Sequence, residues 1–381
     1  MILELNEEQK MIKKMVRDYC EKEIAPYVDE WEEKGIFSRE NFNKLAELGM
    51  AGIYVKPENG GSGLSVFDGA LIIEEMGRVM RGMNYLAVHN MVARTIDNYG
   101  TPDQIERFVR PLAAGEKMAS ICITEPHAGS DVGAMRTFAR REGDYYILNG
   151  SKVFITGAGQ SEIYEVLCKT DKNASNPYAG MSMLIVEKGM PGFTIASPEK
   201  KLGLHSVPVC QLFFEDVKVP VENLIGTENR GFYQFADGIN VGRINVAAEA
   251  VGGAQASLEA AVAYAQQREA FGKPIIEYGA IQGLIANMAI NVEAARLLTY
   301  QAAYLVDKGV RAVKQCSIAK KFATDISFQA AADAIQVHGG YGYLKDYKVE
   351  RYLREAKRGQ IVEGTNQIQD RMIINELLRE M

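Results

Sequence analysis

Cysteine and histidine are scarce and scattered. The chain of 381 residues holds five cysteines (Cys20, Cys122, Cys168, Cys210 and Cys316) and four histidines. No C-x-x-C pair occurs and no zinc-ligand spacing can be assembled, so no metal site is expected. An odd, dispersed set of thiols suits a reducing compartment and structural, buried cysteines. Long apolar runs are missing as well. No stretch approaches bilayer-spanning length, and the N-terminus opens on acidic and amphipathic residues rather than an apolar signal core. The expected location is cytoplasmic, or the mature form in an organellar matrix. Positive charge is not in excess: a net charge of −6 and a pI of about 5.5 argue against nucleic acid or an anionic membrane as partner. The G-x-G-x-x-G, G-x-x-x-x-G-K-[ST] and G-x-S-x-G patterns are all absent, which removes the Rossmann, P-loop and α/β-hydrolase readings. A nucleotide cofactor would have to be gripped in another way.

What is present is ordinary globular composition, in a chain too long for a single growing core, so two or three domains are expected. The first part reads helical. Asn6 with Gln9 forms a capping-box pattern ahead of Ile12, Met15, Val16 and Tyr19, and Pro26 interrupts that run. Ser38 starts a second helix that ends at Gly49. Ser65 opens a third, and Thr101-Pro102 with Gln104 opens a fourth. From about Met118 the period changes to short strand-like runs: Tyr145–Leu148, Lys152–Thr156, Ile163–Lys169, Met181–Glu187 and Gln211–Val217. Gly143-Asp144 and Asn149-Gly150 are hairpin signals between them. After Gly231 long Ala-rich helical stretches cover about 231–269, 279–308, 313–337 and 346–358, with a last one from Asn366, as in an antiparallel bundle. The expected fold is α+β and multidomain: an N-terminal α-helical domain (1–117), a middle antiparallel β domain (118–229) and a C-terminal four-helix bundle (230–381).

Four segments carry chemistry. Met118–Ile123 reads as a buried strand ending in the hydroxyl of Thr124, and Glu125-Pro126-His127-Ala128-Gly129-Ser130-Asp131 forms a turn and small-residue loop. Hydroxyls and free backbone N–H groups at a strand end can hold an anionic or ring-shaped cofactor. Glu363, in Ile361-Val362-Glu363-Gly364-Thr365, sits between two helical stretches. Its apolar neighbours would raise its pKa, which suits a general base for a weakly acidic C–H. Arg268 with Phe271-Gly272-Lys273-Pro274, and Gln336-Val337-His338-Gly339-Gly340, combine charge with glycine-rich turns that let backbone approach a phosphate.

These segments, in this order and with Lys152-Val153-Phe154-Ile155-Thr156 at the matching spacing, resemble the acyl-CoA dehydrogenase family of FAD enzymes. The resemblance spans the whole chain. It implies that Ile121, Ile123, Thr124, Ser130, Phe154 and Thr156 hold the flavin ring. It also implies that Arg268, Phe271, Gln336, Gly339 and Gly340 grip the FAD diphosphate across a subunit boundary, with Thr365 and Gln367 contacting the cofactor from the next helix. Ser130, Asn240, Arg243 and Gly364 would bind the acyl-CoA. Glu363 would remove the α-proton while flavin N5 accepts the β-hydride, giving a 2-enoyl-CoA and passing electrons to an electron-transferring flavoprotein. A homotetramer is implied. Some family members place the base just before the bundle arginine; that position is Gly242 here, which leaves Glu363. Asn240 stands where an Asp is common, Gly279 where a Gln is usual, and Val362 where many relatives carry Tyr. Acyl-chain shape stays open among short or medium, branched, dicarboxylyl and cyclic groups. Rival readings are an acyl-CoA oxidase or enoyl-CoA reductase on the same scaffold, or a non-catalytic flavoprotein subunit.

Overall fold

A computed structural model describes residues 4–381, the side chain of Asn84 excepted. The N-terminal helices begin where polar caps stand. In α1 (Glu7–Tyr19) Asn6 and Gln9 close a reciprocal capping box. Then come α2 (Val28–Lys34), α3 (Arg39–Glu47), α4 (Val66–Val79) and α5 (Tyr85–Tyr99). Ser38 caps α3, and Ser65 pairs with Asp68 at the start of α4. The short α6 (Pro102–Gln104), capped by Thr101, runs through a π-type turn into α7 (Arg110–Ala113).

The middle of the chain is one seven-stranded sheet: β1 (Ala119–Cys122), β2 (Phe138–Glu142), β3 (Tyr145–Thr156), β4 (Ile163–Lys169), β5 (Met181–Glu187), β6 (Phe193–Ile195) and β7 (Val209–Pro220). Pairing is mainly antiparallel, but β4 pairs in parallel with β1 and touches β2 in parallel. Gly143-Asp144 turns the chain from β2 to β3, as its composition predicts. Asn149-Gly150 does not make a hairpin. It lies inside the twelve-residue β3, where the register against β7 shifts between Leu148 and Gly150. A bulge and a hairpin turn both need a residue free of the usual φ restriction, so the dipeptide alone does not separate them.

The C-terminal part is built on α8 (Gly231–Gln267), which runs for 37 residues. A two-stranded turn of β8 (Glu269–Ala270) and β9 (Lys273–Pro274) leads to α9 (Gly279–Asp307) and α10 (Val313–His338). The chain ends in α11 (Val349–Gly359) and α12 (Asn366–Glu380). Alanines and β-branched residues of α8 pack against α10 on one side and against α4 on the other, so the first and last helical regions share one core. No described helix is long and apolar enough to cross a membrane. The loop between α11 and α12 brings Glu363 against α8 at Gly242, where Met91 of α5 also stands.

Candidate active site

The loop after β1 is fixed from beneath by a buried ion pair. Glu125 and Ala128 exchange backbone hydrogen bonds of 3.0 and 3.1 Å, closing the turn over Pro126 and His127. The Glu125 carboxylate accepts from the Arg136 and Thr137 N–H groups at 2.6 and 3.0 Å and from Lys152 Nζ at 2.9 Å. Lys152 also donates to the Ile123 carbonyl at 2.8 Å, and the Val153 N–H donates to the Thr124 carbonyl at 2.9 Å. Burial would push the Glu125 carboxyl up, but Lys152 and the two amides hold it below its ordinary range, while burial draws the Lys152 ammonium down.

Ile123-Thr124 and Lys152–Thr156 therefore stand side by side, as the spacing of the two motifs requires. A second register shift in β3, between Lys152 and Ile155, puts Phe154 at a φ of 59° with its ring 68% exposed. A bulge re-aims a side chain, and here it turns an aromatic ring outward beside the Thr124 loop. Ile121, Ile123, Thr124 and Thr156 are half-buried, and Ser130 is exposed at the loop's rim.

Glu363 holds the left-handed region, with a φ of 53°, in the turn between α11 and α12. A non-glycine residue stays there only when its surroundings fix it, and three side chains do. Gln369 Nε2 donates to the Glu363 and Gly364 carbonyls at 3.0 and 2.9 Å. Lys320 Nζ, from α10, donates to the Gly364 carbonyl at 3.0 Å and to Asn366 Oδ1 at 2.9 Å. Thr365 caps α12, accepting from the Ile368 N–H. With the carbonyls turned inward, the Glu363, Gly364 and Thr365 N–H groups meet no acceptor among the described residues.

The Glu363 carboxylate points at α8. A Cβ on Gly242 would stand 2.7 Å from Glu363 Oε2 and 2.9 Å from Met91 Cε, so glycine is what leaves the carboxylate its place. Arg243, next in the chain, is only 4% exposed and donates to Asn240 Oδ1 at 3.2 Å. It is not the solvated helix arginine that its sequence neighbours alone suggest. Burial raises the Glu363 pKa, and Arg243, Lys320 and Arg358 pull it back part of the way.

A second group of sequence-marked residues gathers elsewhere. Arg268, Gly339 and Gly340 line a cavity of about 390 Å³ together with Tyr264, His338 and Tyr341. The lining includes none of the Thr124, Phe154 or Glu363 group. Arg268 lies over the Tyr341 ring at 5.7 Å. Gly339 turns at a φ of 60°, and no atom lies within 4 Å of a Cβ built on either glycine. Phe271 projects 98% exposed from the adjoining turn, and Gln336 and Gln367 are also exposed. Three residues have parts in this geometry that the sequence does not signal. Lys320 and Gln369 clamp the Glu363 loop, and Glu125 anchors the Thr124 loop.

Profiles of the acyl-CoA dehydrogenase N-terminal, middle and C-terminal domains match residues 6–116, 120–217 and 229–378. The mitochondrial isobutyryl-CoA dehydrogenase of Bos taurus is 42% identical over 378 residues, covering 99% of this chain and 90% of that protein. The caffeyl-CoA reductase-Etf complex subunit CarC of Acetobacterium woodii is 41% identical, covering 98% of this chain and 99% of its own. Among solved structures, the butyryl-CoA dehydrogenase of Megasphaera elsdenii superposes with a TM-score of 0.96 at 39% identity, over 99% of this chain and 100% of that one. With three successive domain profiles and full-length relatives, the chain belongs to the acyl-CoA dehydrogenase family of flavoenzymes.

Proposed function

We propose that this protein dehydrogenates a short-chain acyl-CoA to the 2-enoyl-CoA, using FAD and taking the α-proton with Glu363. The observation that carries the reading is the Glu363 carboxylate, held by a strained and clamped turn against the gap at Gly242. The family depends on FAD in general, and the residues fit such a group. Exposed Phe154 and the Thr124 loop offer a flat face and hydrogen-bonding edge for a ring. Arg268 and the open backbone of Gly339 and Gly340 suit a diphosphate. Bound there, FAD supplies the two-electron acceptor for the β-hydride.

The chain's own part is to hold and move the proton. Burial makes Glu363 a stronger base than a solvated carboxylate, and the nearby cations favour its ionised form. The unpartnered N–H groups of Glu363 and Gly364 suit the thioester carbonyl, whose oxygen gains charge as the α-proton leaves. Arg243 with Asn240, and Ser130 at the rim, are the proposed contacts for the CoA. A short acyl chain is favoured by the isobutyryl- and butyryl-CoA specificities named for the relatives. An electron-transferring flavoprotein is the proposed acceptor, in keeping with the Etf complex to which the Acetobacterium woodii protein belongs. That protein's reductase name supports a second reading, in which the same residues work toward the saturated acyl-CoA.

The test is anaerobic mixing of the purified yellow protein with butyryl-CoA and isobutyryl-CoA. Flavin bleaching is expected in the wild type. Glu363→Gln is expected to retain flavin and bind acyl-CoA while bleaching at least about a thousandfold more slowly. Bleaching at an unchanged rate in the variant rejects Glu363 as the base.

A further inference from the structure

We propose that Lys320 is a positioning residue for the Glu363 base, its ammonium acting both as the clamp on the inner face of the Glu363–Thr365 loop and as the buried counter-charge of the Glu363 carboxylate. The inference rests on Glu363 being the base. Lys320 is 0% exposed, in the middle of α10. A buried ammonium ordinarily sits on a carboxylate, yet both acceptors of Lys320 are neutral: the Gly364 carbonyl and Asn366 Oδ1. No carboxylate lies within 4.0 Å of it among the described residues. Where it is charged, its counter-ion is therefore not in direct contact.

Two anions act on it: Glu363, whose chain neighbour Gly364 accepts from Lys320 directly, and Asp325, which shares Asn366 with it; Arg243 and Arg358 oppose them, and burial pushes the pKa of the Cys316 thiol, one turn earlier on α10, up. Asp325 is already committed. It accepts from Gln360 Nε2 and Asn366 Nδ2, both at 2.7 Å, and lies 3.5 Å from Lys321. Asn366 thus passes one amide face to Asp325 and the other to Lys320, fixing where the ammonium stands. What remains to balance it is Glu363. Burial brings the Lys320 pKa down to about 7, so its charge is poised near neutrality instead of being permanent.

The geometry has a sign. A nearby cation favours the ionised carboxylate, so removing it raises the Glu363 pKa and moves the acid limb of the reductive half-reaction upward. Two variants separate charge from packing: Lys320→Gln keeps hydrogen-bond donors without charge, and Lys320→Arg keeps charge. Stopped-flow bleaching by butyryl-CoA against pH is expected to show the acid limb of Lys320→Gln shifted up by about one unit, with flavin content and acyl-CoA affinity within about threefold of wild type. Lys320→Arg is expected to keep the wild-type limb. Superimposable profiles for wild type and Lys320→Gln overturn the proposal. Failure of the wild type to bleach at all instead overturns the dehydrogenase reading.

A second measurement tests the clamp by removing its donors. Hydrogen–deuterium exchange of the segment 360–369 is expected to be at least about threefold faster in Lys320→Met, which can donate to neither the Gly364 carbonyl nor Asn366 Oδ1, than in the wild-type holoenzyme. Equal exchange in the two proteins rejects the clamp.

Discussion

Gly242 and Glu363 compete for one volume, and the glycine decides where the carboxylate stands. A methyl group at Gly242 would meet only the far ends of two flexible side chains, Glu363 Oε2 at 2.7 Å and Met91 Cε at 2.9 Å. Both can swing aside, and alanine in a helix interior is favoured over glycine by about 1 kcal/mol. Gly242→Ala is therefore expected to leave the melting temperature unchanged or slightly raised. Its bleaching rate should fall by about tenfold to a hundredfold, because the carboxylate is displaced from its reactive position. An unchanged rate in that variant means the carboxylate does not use this space. At this scale the sequence is partly legible. Glu363 announces itself through its Gly-Thr neighbours. Lys320 does not, since Lys320-Lys321 in an Ala-rich helix reads as a solvated face. Its burial comes from the Glu363 loop folding over α10, across 44 residues of chain.

Elements with local causes were legible, and those with distant causes were not. The Asn6, Ser65 and Thr101 capping boxes sit where hydroxyl or amide side chains precede an acid or amide at the fourth position, because the cap is made within four residues. The path of β3 depends instead on β7, sixty residues later, and that pairing turns Asn149-Gly150 into a bulge and Phe154 outward. The Glu125–Lys152 pair joins the two motif segments in the same way. Both side chains are buried, so Glu125→Gln leaves an uncompensated ammonium and should cost about 3–5 kcal/mol of stability at neutral pH. The Glu125 pKa is depressed in the folded protein. Its stabilisation is present above the ordinary carboxylate pKa and is lost as pH falls through the lower folded value. Denaturant melts should show the gap between wild type and variant narrowing in acid. A gap that is constant with pH would show that the pair does not carry the difference.

For the whole molecule, the order of helical, β and helical regions follows from periodicity alone, because each region is long enough for its period to repeat. What periodicity cannot supply is why the residues proposed to hold the cofactor fall into two groups on one chain. The Arg268, Gly339 and Gly340 cavity is lined by none of the residues around Thr124 and Glu363. Phe271 stands beside it, 98% exposed and at a φ of 49°, a strained conformation for an aromatic residue that water alone does not reward. The arrangement makes sense if a second chain covers this face and the two half-sites complete each other, as in a symmetric oligomer with a shared cofactor. Light scattering of the holoenzyme is then expected to give the mass of four 42.1 kDa chains. Phe271→Asp should lower the mass and the FAD content together, since the same face serves both. Loss of FAD at unchanged mass would assign Phe271 to the cofactor without assembly. If both stay unchanged, the cavity is no half-site, and the flavin must be held by the Thr124 group within one chain.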